Sequence, residues 1–250
     1  MFLAQSRLLF HPTSITDDER TRIEALPGVE LLSVPTADET LEGFFLSGAG
    51  EGPRPTILYF AGNAQSVWKQ VEAKRWVADM GFNLAFVSYR GYDRSTGEPS
   101  GEAITSDGLA IYDQVVQRPD VDAARVLTWG FSLGTGVATH IACNRSVDGV
   151  ILMAPYDTLA SVAAAQYPFL PVRALFRHEI DSVGCGGNVD APALILHGDA
   201  DTTIAPSHGK NLADAWGGEV RWVLLEGVGH NDISSHPSVR PEQTSFLRED

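Results

Sequence analysis

One pentapeptide constrains this chain more than any other feature. In Gly130-Phe131-Ser132-Leu133-Gly134 a serine stands between glycines two residues to either side. The apolar, β-type run Leu127-Thr128-Trp129 leads into it, and the small-residue run Thr135-Gly136-Val137-Ala138 leads away as a helix start. A chain that passes from strand to helix in so few residues holds the serine in a strained backbone conformation. A side chain at either flanking position would strike the neighbouring strand or helix, and glycine removes it. The turn lifts a hydroxyl above the end of a sheet, the arrangement called a nucleophile elbow. The pentapeptide alone is common in a chain with 24 glycines, so its weight rests on the surrounding pattern.

That pattern is an alternation of strands and helices. Residues 30–34 and 41–46 read as a hairpin, joined by Pro35-Thr36-Ala37-Asp38-Glu39. Short apolar runs at 56–60, 84–87, 126–129, 150–153, 194–196 and 222–225 suit strands buried on both faces. Helical patterns fall between them at 64–80, 100–117, 132–144 and 206–216. The order predicts an α/β fold: a mostly parallel central sheet, helices on both faces, and an antiparallel N-terminal hairpin. A chain of 250 residues fits one such domain. Residues 156–191 break the rhythm and read as a small cap of short helices; a connecting helix with a loop is the alternative. Tyr156, Tyr167, Phe169 and Phe176 in this stretch are the candidate lining of a substrate pocket.

Composition narrows the partners. Thirty-two acids against 18 bases give a net charge of −14, which argues against nucleic acid or an anionic membrane surface. Two cysteines do not make a disulfide framework. Cys143, in the apolar helix after the elbow, reads as a buried thiol; a pairing with Cys185, in a Gly-rich loop, has no support in the sequence. No run of 18 apolar residues appears, so no integral membrane segment is expected. The first seven residues lack a basic region and a long apolar core, so no signal peptide is expected and the chain is placed in the cytoplasm.

In open parallel sheets the chemistry gathers at the carboxyl ends of the strands. A serine hydroxyl is a poor nucleophile; it needs a base, and the base needs an orienting acid. His197-Gly198-Asp199-Ala200-Asp201 follows the run at 194–196, and Glu226-Gly227-Val228-Gly229-His230-Asn231-Asp232 follows the run at 222–225. His230 is the candidate base, with His236 as the fallback. Asp201 is the candidate acid, with Asp199 and Asp157 as alternatives. His197 is expected to pack or cap at its strand end. An oxyanion hole needs two backbone amides aimed at the developing charge. Leu133, just after the nucleophile, supplies one. Asn63, in the loop Ala61-Gly62-Asn63-Ala64, supplies the other, with Gly62 letting that loop pass close to the serine.

With these residues in place, the chain resembles the α/β-hydrolases of the capless or small-cap kind. It is most similar to the serine-aminopeptidase-like and esterase-like branch, which includes lipid-associated and depalmitoylating hydrolases. The resemblance spans residues 7–236. Its carriers are Arg7-Leu8-Leu9-Phe10-His11-Pro12, Gly62-Asn63-Ala64, Tyr89-Arg90-Gly91-Tyr92, the elbow, His197-Gly198-Asp199-Ala200-Asp201 and Gly229-His230-Asn231-Asp232. It implies Ser132 as nucleophile, Asp201 as acid, His230 as base, and Asn63 and Leu133 as oxyanion amides. It implies cleavage of a small-molecule ester or acyl substrate without metal or cofactor. A peptidase or acyl-thioesterase on the same triad is the alternative, and a non-catalytic ligand binder is the rival of another class. A peptidase that grips a free amine would call on a carboxylate such as Asp157, Glu179 or Asp181. The family usually has His-Gly before the oxyanion residue, whereas this chain has Ala61-Gly62, which leaves open how that loop is anchored. Many relatives also carry a membrane anchor upstream of the segment at 7–12.

Overall fold

The computed structural model describes residues 2–167, 169 and 176–249. Two helices open the chain, α1 (Phe2–Leu9) and α2 (Asp17–Glu24), followed by the strands β1 (Val29–Pro35), β2 (Thr40–Leu46) and β3 (Arg54–Phe60). Helices α3 (Val67–Ala73) and α4 (Arg75–Asp79) lead to β4 (Asn83–Val87), and α5 (Gly101–Val115) to β5 (Val121–Phe131). Helix α6 (Leu133–Asn144) leaves the elbow and returns to β6 (Gly149–Met153). Then come α7 (Leu159–Gln166), α8 (Ser182–Gly186), β7 (Ala193–Gly198), α9 (Pro206–Ala215), β8 (Val220–Leu225) and α10 (Val239–Phe246).

The strands form one eight-stranded sheet in the order β1-β2-β4-β3-β5-β6-β7-β8. The hairpin β1–β2 joins antiparallel to β4, and the strands from β4 through β8 pair in parallel. Successive side chains of β3 enter opposite cores: Leu58 and Phe60 pack on one face, Ile57 and Tyr59 on the other. Helices cover both faces, which is why these strands are apolar throughout rather than alternating. The register brings the strand ends level. Phe60 lies beside Gly130, Phe131 beside Met153, and Gly198 beside Leu225. Whatever follows each of these residues therefore emerges on one edge. Within residues 156–191 the described chain forms α7 and α8, tied by a bridge between Thr158 and Asp181. No helix among the described residues is long and apolar enough to cross a membrane.

The helix expected over 64–80 is two short helices that break at Lys74, where φ is −105° and ψ is 10°. The break turns the ammonium inward. Lys74 is buried, with Nζ 4.3 Å from the Tyr59 ring centre and 4.7 Å from the Trp129 ring centre. Its hydrogen-bonding partner is Gln70 Oε1, at 3.3 Å. Burial disfavours the charged form and pulls its pKa down to about 7. The unfolded chain would keep that proton up to about pH 10.4. Between those two values the unfolded state binds a proton that the folded state lacks, so stability rises with pH across the window. Lys74→Met is expected to flatten that rise, as measured by urea unfolding at pH 7, 8 and 9.

Cys143, expected as a buried thiol, is not a free thiol. It forms a disulfide with Cys185, 42 residues on, with Cα atoms 5.6 Å apart. The last turn of α6 and the short helix α8 pack together, and the cysteines meet across that contact. The bridge closes a loop that holds β6, α7 and the intervening segment. Loop-closure entropy for that length gives about 4 kcal/mol of stabilisation. The double variant Cys143→Ser/Cys185→Ser is expected to lose about that much in urea unfolding, while a reductant shifts the wild-type curve onto it.

Candidate active site

The elbow shows why glycine brackets the serine. A Cβ on Gly134 would lie 2.1 Å from the Phe60 carbonyl oxygen, and one on Gly130 2.4 Å from the Gly134 carbonyl oxygen. Between them Ser132 takes φ 51° and ψ −117°, a left-handed region that costs a non-glycine residue on the order of 1–3 kcal/mol. Its amide donates to the Met153 carbonyl at 2.9 Å, and its carbonyl accepts from the Thr135 amide and hydroxyl at 2.9 and 2.6 Å. A serine that starts a helix usually hands its side-chain oxygen to an amide of the first turn. Ser132 makes no such cap. Its Oγ instead lies 2.9 Å from His230 Nε2.

His230 reaches the serine from the turn after β8. Its Nδ1 lies 2.6 Å from Asp201 Oδ2. The ionised carboxylate only accepts, so Nδ1 carries the proton and the Nε2 lone pair is left to the hydroxyl. The imidazole packs against the Phe131 ring, centre to centre 5.3 Å. Asp201 is 5% exposed. Its Oδ1 accepts from the Thr203 and Ile204 amides, each at 2.8 Å. Burial alone would raise this carboxyl's pKa. Hydrogen bonds from His197, His230 and the Ile204 amide outweigh it and hold the pKa well below the usual carboxylate range.

His197 has a larger part than strand-end packing. It is fully buried, and its Nε2 donates to the Ile204 carbonyl at 2.9 Å while standing 3.4 Å from Asp201 Oδ2. It thus fixes both the carboxylate and the loop that wraps it. The signal is its place in the same strand-end segment, four residues before Asp201.

The alternative residues are engaged elsewhere. Asp199 Oδ1 accepts from the Gly227 amide at 2.7 Å. Asp157 accepts from the Thr158 amide at 2.6 Å, from Asn211 at 3.0 Å and from the Ser161 hydroxyl, with His208 Nδ1 at 2.9 Å. His236 Nδ1 pairs with the Ser238 hydroxyl at 2.8 Å. Glu179 and Asp181 border a separate surface depression with Thr158, Ala160 and Ser161.

A cavity of about 110 Å³ opens beside Ser132. Asn63, Ser132 and Leu133 border it together. Gly62 is what lets the Asn63 loop approach, since a Cβ there would lie 2.7 Å from the Phe131 ring and 3.4 Å from Ser132 Cβ. The Leu133 amide is at the first position of α6, with no partner inside its own helix and on the helix's positive end. Of the four aromatic residues expected in the pocket, the structure brings only Tyr156 to the cavity, where its hydroxyl donates to the Leu133 carbonyl at 3.2 Å. Tyr167 is partly exposed, Phe169 is 98% exposed, and the Phe176 ring faces His178. The walls are instead Leu9 and Phe10, the α7 face Leu159, Val162, Ala163 and Gln166, and Thr203 with Ile204. The α7 face was readable as i, i+3, i+4, i+7 spacing. Leu9 and Phe10 carried no such signal, because only the fold brings the N-terminal segment there.

Comparison with known proteins places the chain. A family model described as alpha/beta hydrolase fold matches residues 55–179. An uncharacterized protein of Mycobacterium tuberculosis is 31% identical over 229 residues, which covers 91% of this chain and 81% of the relative. The chain belongs to the α/β-hydrolase family. Lysophosphatidylserine lipase ABHD12 of Danio rerio is 30% identical over 230 residues, with 79% of this chain and 59% of the lipase covered. Among solved structures, the Pyrococcus furiosus esterase Pf2001 shares the fold with a TM-score of 0.78 at 16% identity, over 96% of this chain and 98% of the esterase.

Proposed function

We propose that the protein is a serine hydrolase that cleaves carboxylic esters of short or medium acyl chains through an acyl-enzyme. The observation that carries this reading is the unbroken series Ser132 Oγ–His230 Nε2, His230 Nδ1–Asp201 Oδ2 at 2.9 and 2.6 Å. In the first half-reaction Oγ attacks the ester carbonyl carbon while Nε2 takes its proton. The carbonyl electrons move to oxygen, where the amides of Leu133 and Asn63 face them. Asp201 stabilises the imidazolium. Collapse of the intermediate expels the alcohol, which leaves with the proton from Nε2. Water then repeats the sequence on the acyl-enzyme and releases the acid.

The cavity suits a short chain. An apolar cavity of roughly 150 Å³ takes a benzene ring, and this one has about 110 Å³. Its described lining has no charged side chain. The segment at 156–191 acts as a small cap that sets the acyl wall through α7. The Cys143–Cys185 bridge favours an oxidising compartment over the cytoplasm. A second reading, lysophospholipid or thioester cleavage on the same triad, draws on the similarity to lysophosphatidylserine lipase ABHD12. Rates on p-nitrophenyl esters from two to sixteen carbons, beside a matched thioester and a lysophospholipid, separate the two. A maximum at two to six carbons supports the first reading; a maximum at long chains with lysophospholipid turnover replaces it with the second.

A further inference from the structure

In the loop that carries the Asn63 amide, Ala61 and Asn63 are held by groups from other segments and Gly62 by its near neighbour Gln65. The Ala61 carbonyl accepts from the Tyr89 hydroxyl at 2.6 Å. The Gly62 amide donates to Gln65 Oε1 at 3.1 Å, and the Tyr59 hydroxyl donates to the same oxygen at 2.9 Å. At Asn63 it is the side chain that is tied. Its Oδ1 accepts from the Tyr92 hydroxyl at 2.7 Å and from the His11 amide at 2.8 Å, and its Nδ2 donates to the Leu9 carbonyl at 2.5 Å. The Tyr92 oxygen accepts from the His11 amide at 3.0 Å, which closes a ring of hydrogen bonds. Asn63 borders the cavity beside Ser132 with its side chain committed on both ends.

The two tyrosines come from one turn. Tyr89 and Tyr92 are buried, and their rings meet edge to face at 5.5 Å. The Tyr92 amide donates to the Tyr89 carbonyl at 2.9 Å, and Gly91 takes φ +76° to make the turn. The next residue, Asp93, joins the turn to the N-terminal segment: its amide donates to the Thr13 carbonyl at 2.8 Å and its Oδ1 accepts from the Thr13 hydroxyl at 2.9 Å. The pair Ala61-Gly62 has no side chain that could anchor the loop, and Tyr-Arg-Gly-Tyr at 89–92 stands in that place.

We propose that Tyr89 and Tyr92 are positioning residues for the oxyanion hole, fixing the Ala61 carbonyl and the Asn63 side chain so that the Asn63 amide points at the oxygen that becomes negative during acyl transfer. This rests on the serine-hydrolase reading of the site. Oxyanion donors act on the transition state more than on the bound ester. Misaiming one therefore lowers kcat and leaves KM in place. Losing such a donor outright costs about 10²–10³ in rate; loosening it costs a part of that.

The test uses Tyr92→Phe and Tyr89→Phe in the full chain. Each removes one hydroxyl and keeps the ring. Labelling of the wild type by a fluorophosphonate comes first; an inert wild type overturns the serine-hydrolase reading itself. Then kcat and KM are measured on p-nitrophenyl butyrate, together with the Ki of a butyl trifluoromethyl ketone, whose adduct with Ser132 carries the same oxyanion. Tyr92→Phe is expected to lower kcat about ten- to a hundredfold, keep KM within about twofold, and weaken the ketone by the factor lost in kcat/KM. Unchanged kcat overturns the proposal. So does a raised KM at constant kcat, or a fall in kcat that the ketone does not share. Tyr89→Phe reads the carbonyl tether separately, so a Tyr92 variant that fails to fold leaves the proposal exposed to the same three outcomes.

Discussion

Replacing Ser132 with alanine is expected to lower kcat on p-nitrophenyl butyrate by about 10⁴- to 10⁶-fold while the protein still folds. The size of the loss follows from what remains. Without Oγ the acyl-enzyme cannot form, and His230 Nε2 loses the hydroxyl it holds at 2.9 Å. The Leu133 and Asn63 amides and the apolar walls persist, and such groups alone sustain only a small residual rate over water. The fold survives because the bonds that hold the elbow are backbone bonds at Ser132, to Met153 and from Thr135. Alanine meets the same positive φ at a similar cost. Melting temperature is therefore the control, and labelling by a fluorophosphonate should vanish with activity. Near-normal turnover by the variant would sink the assignment of Ser132.

Legibility of the site from sequence depended on how local its causes are. Gly130 and Gly134 are required by contacts within two neighbouring elements, so the pentapeptide announces the turn. The approach of Asp201 and His230 to Ser132 was legible because parallel register levels the strand ends, and each follows an apolar run by only a few residues. The central sheet was readable for the same reason: each buried strand is apolar throughout. What escaped depends on contacts between distant segments. Nothing near Cys143 marks Cys185 as its partner; the packing of α6 on α8 does. The helix break at Lys74 has no proline or glycine beside it; it coincides with the Lys74 nitrogen lying over the Tyr59 and Trp129 rings, a contact between distant segments. The cavity walls moved from the aromatics of 156–191 to Leu9 and Phe10 because residues 9–11 are bound to Asn63 across 52 to 54 positions of sequence. Hydropathy cannot report a hydrogen bond of that span.

Asp201→Asn should be almost as damaging as loss of the nucleophile, about 10⁴-fold in kcat, although it removes no volume. The reason lies in the four donors that surround the carboxylate. Oδ1 accepts from the Thr203 and Ile204 amides, and Oδ2 from His230 Nδ1 with His197 Nε2 nearby. An asparagine keeps one acceptor oxygen and gains an NH₂. If the NH₂ took the Oδ1 place it would face two backbone amides, leaving donors opposed to donors in a buried site. The oxygen therefore stays with the amides and the NH₂ faces His230. To meet it, Nδ1 must become the acceptor, so the imidazole proton shifts to Nε2 and points at Ser132. A base that already carries the proton cannot take another from the hydroxyl. The wild-type carboxylate also gives the fold its own pH signature. Its pKa is lowered in the folded state, so the stability it contributes is full above the unfolded value near pH 3.9 and is lost as pH falls toward the folded one. Asp201→Asn should lack that acid-side loss in unfolding curves between pH 5 and pH 2. Asp157→Asn is the matching control: its carboxylate serves Thr158, Ser161, His208 and Asn211, so kcat should stay within a few-fold. A collapse of activity in Asp157→Asn with normal turnover in Asp201→Asn would reassign the acid.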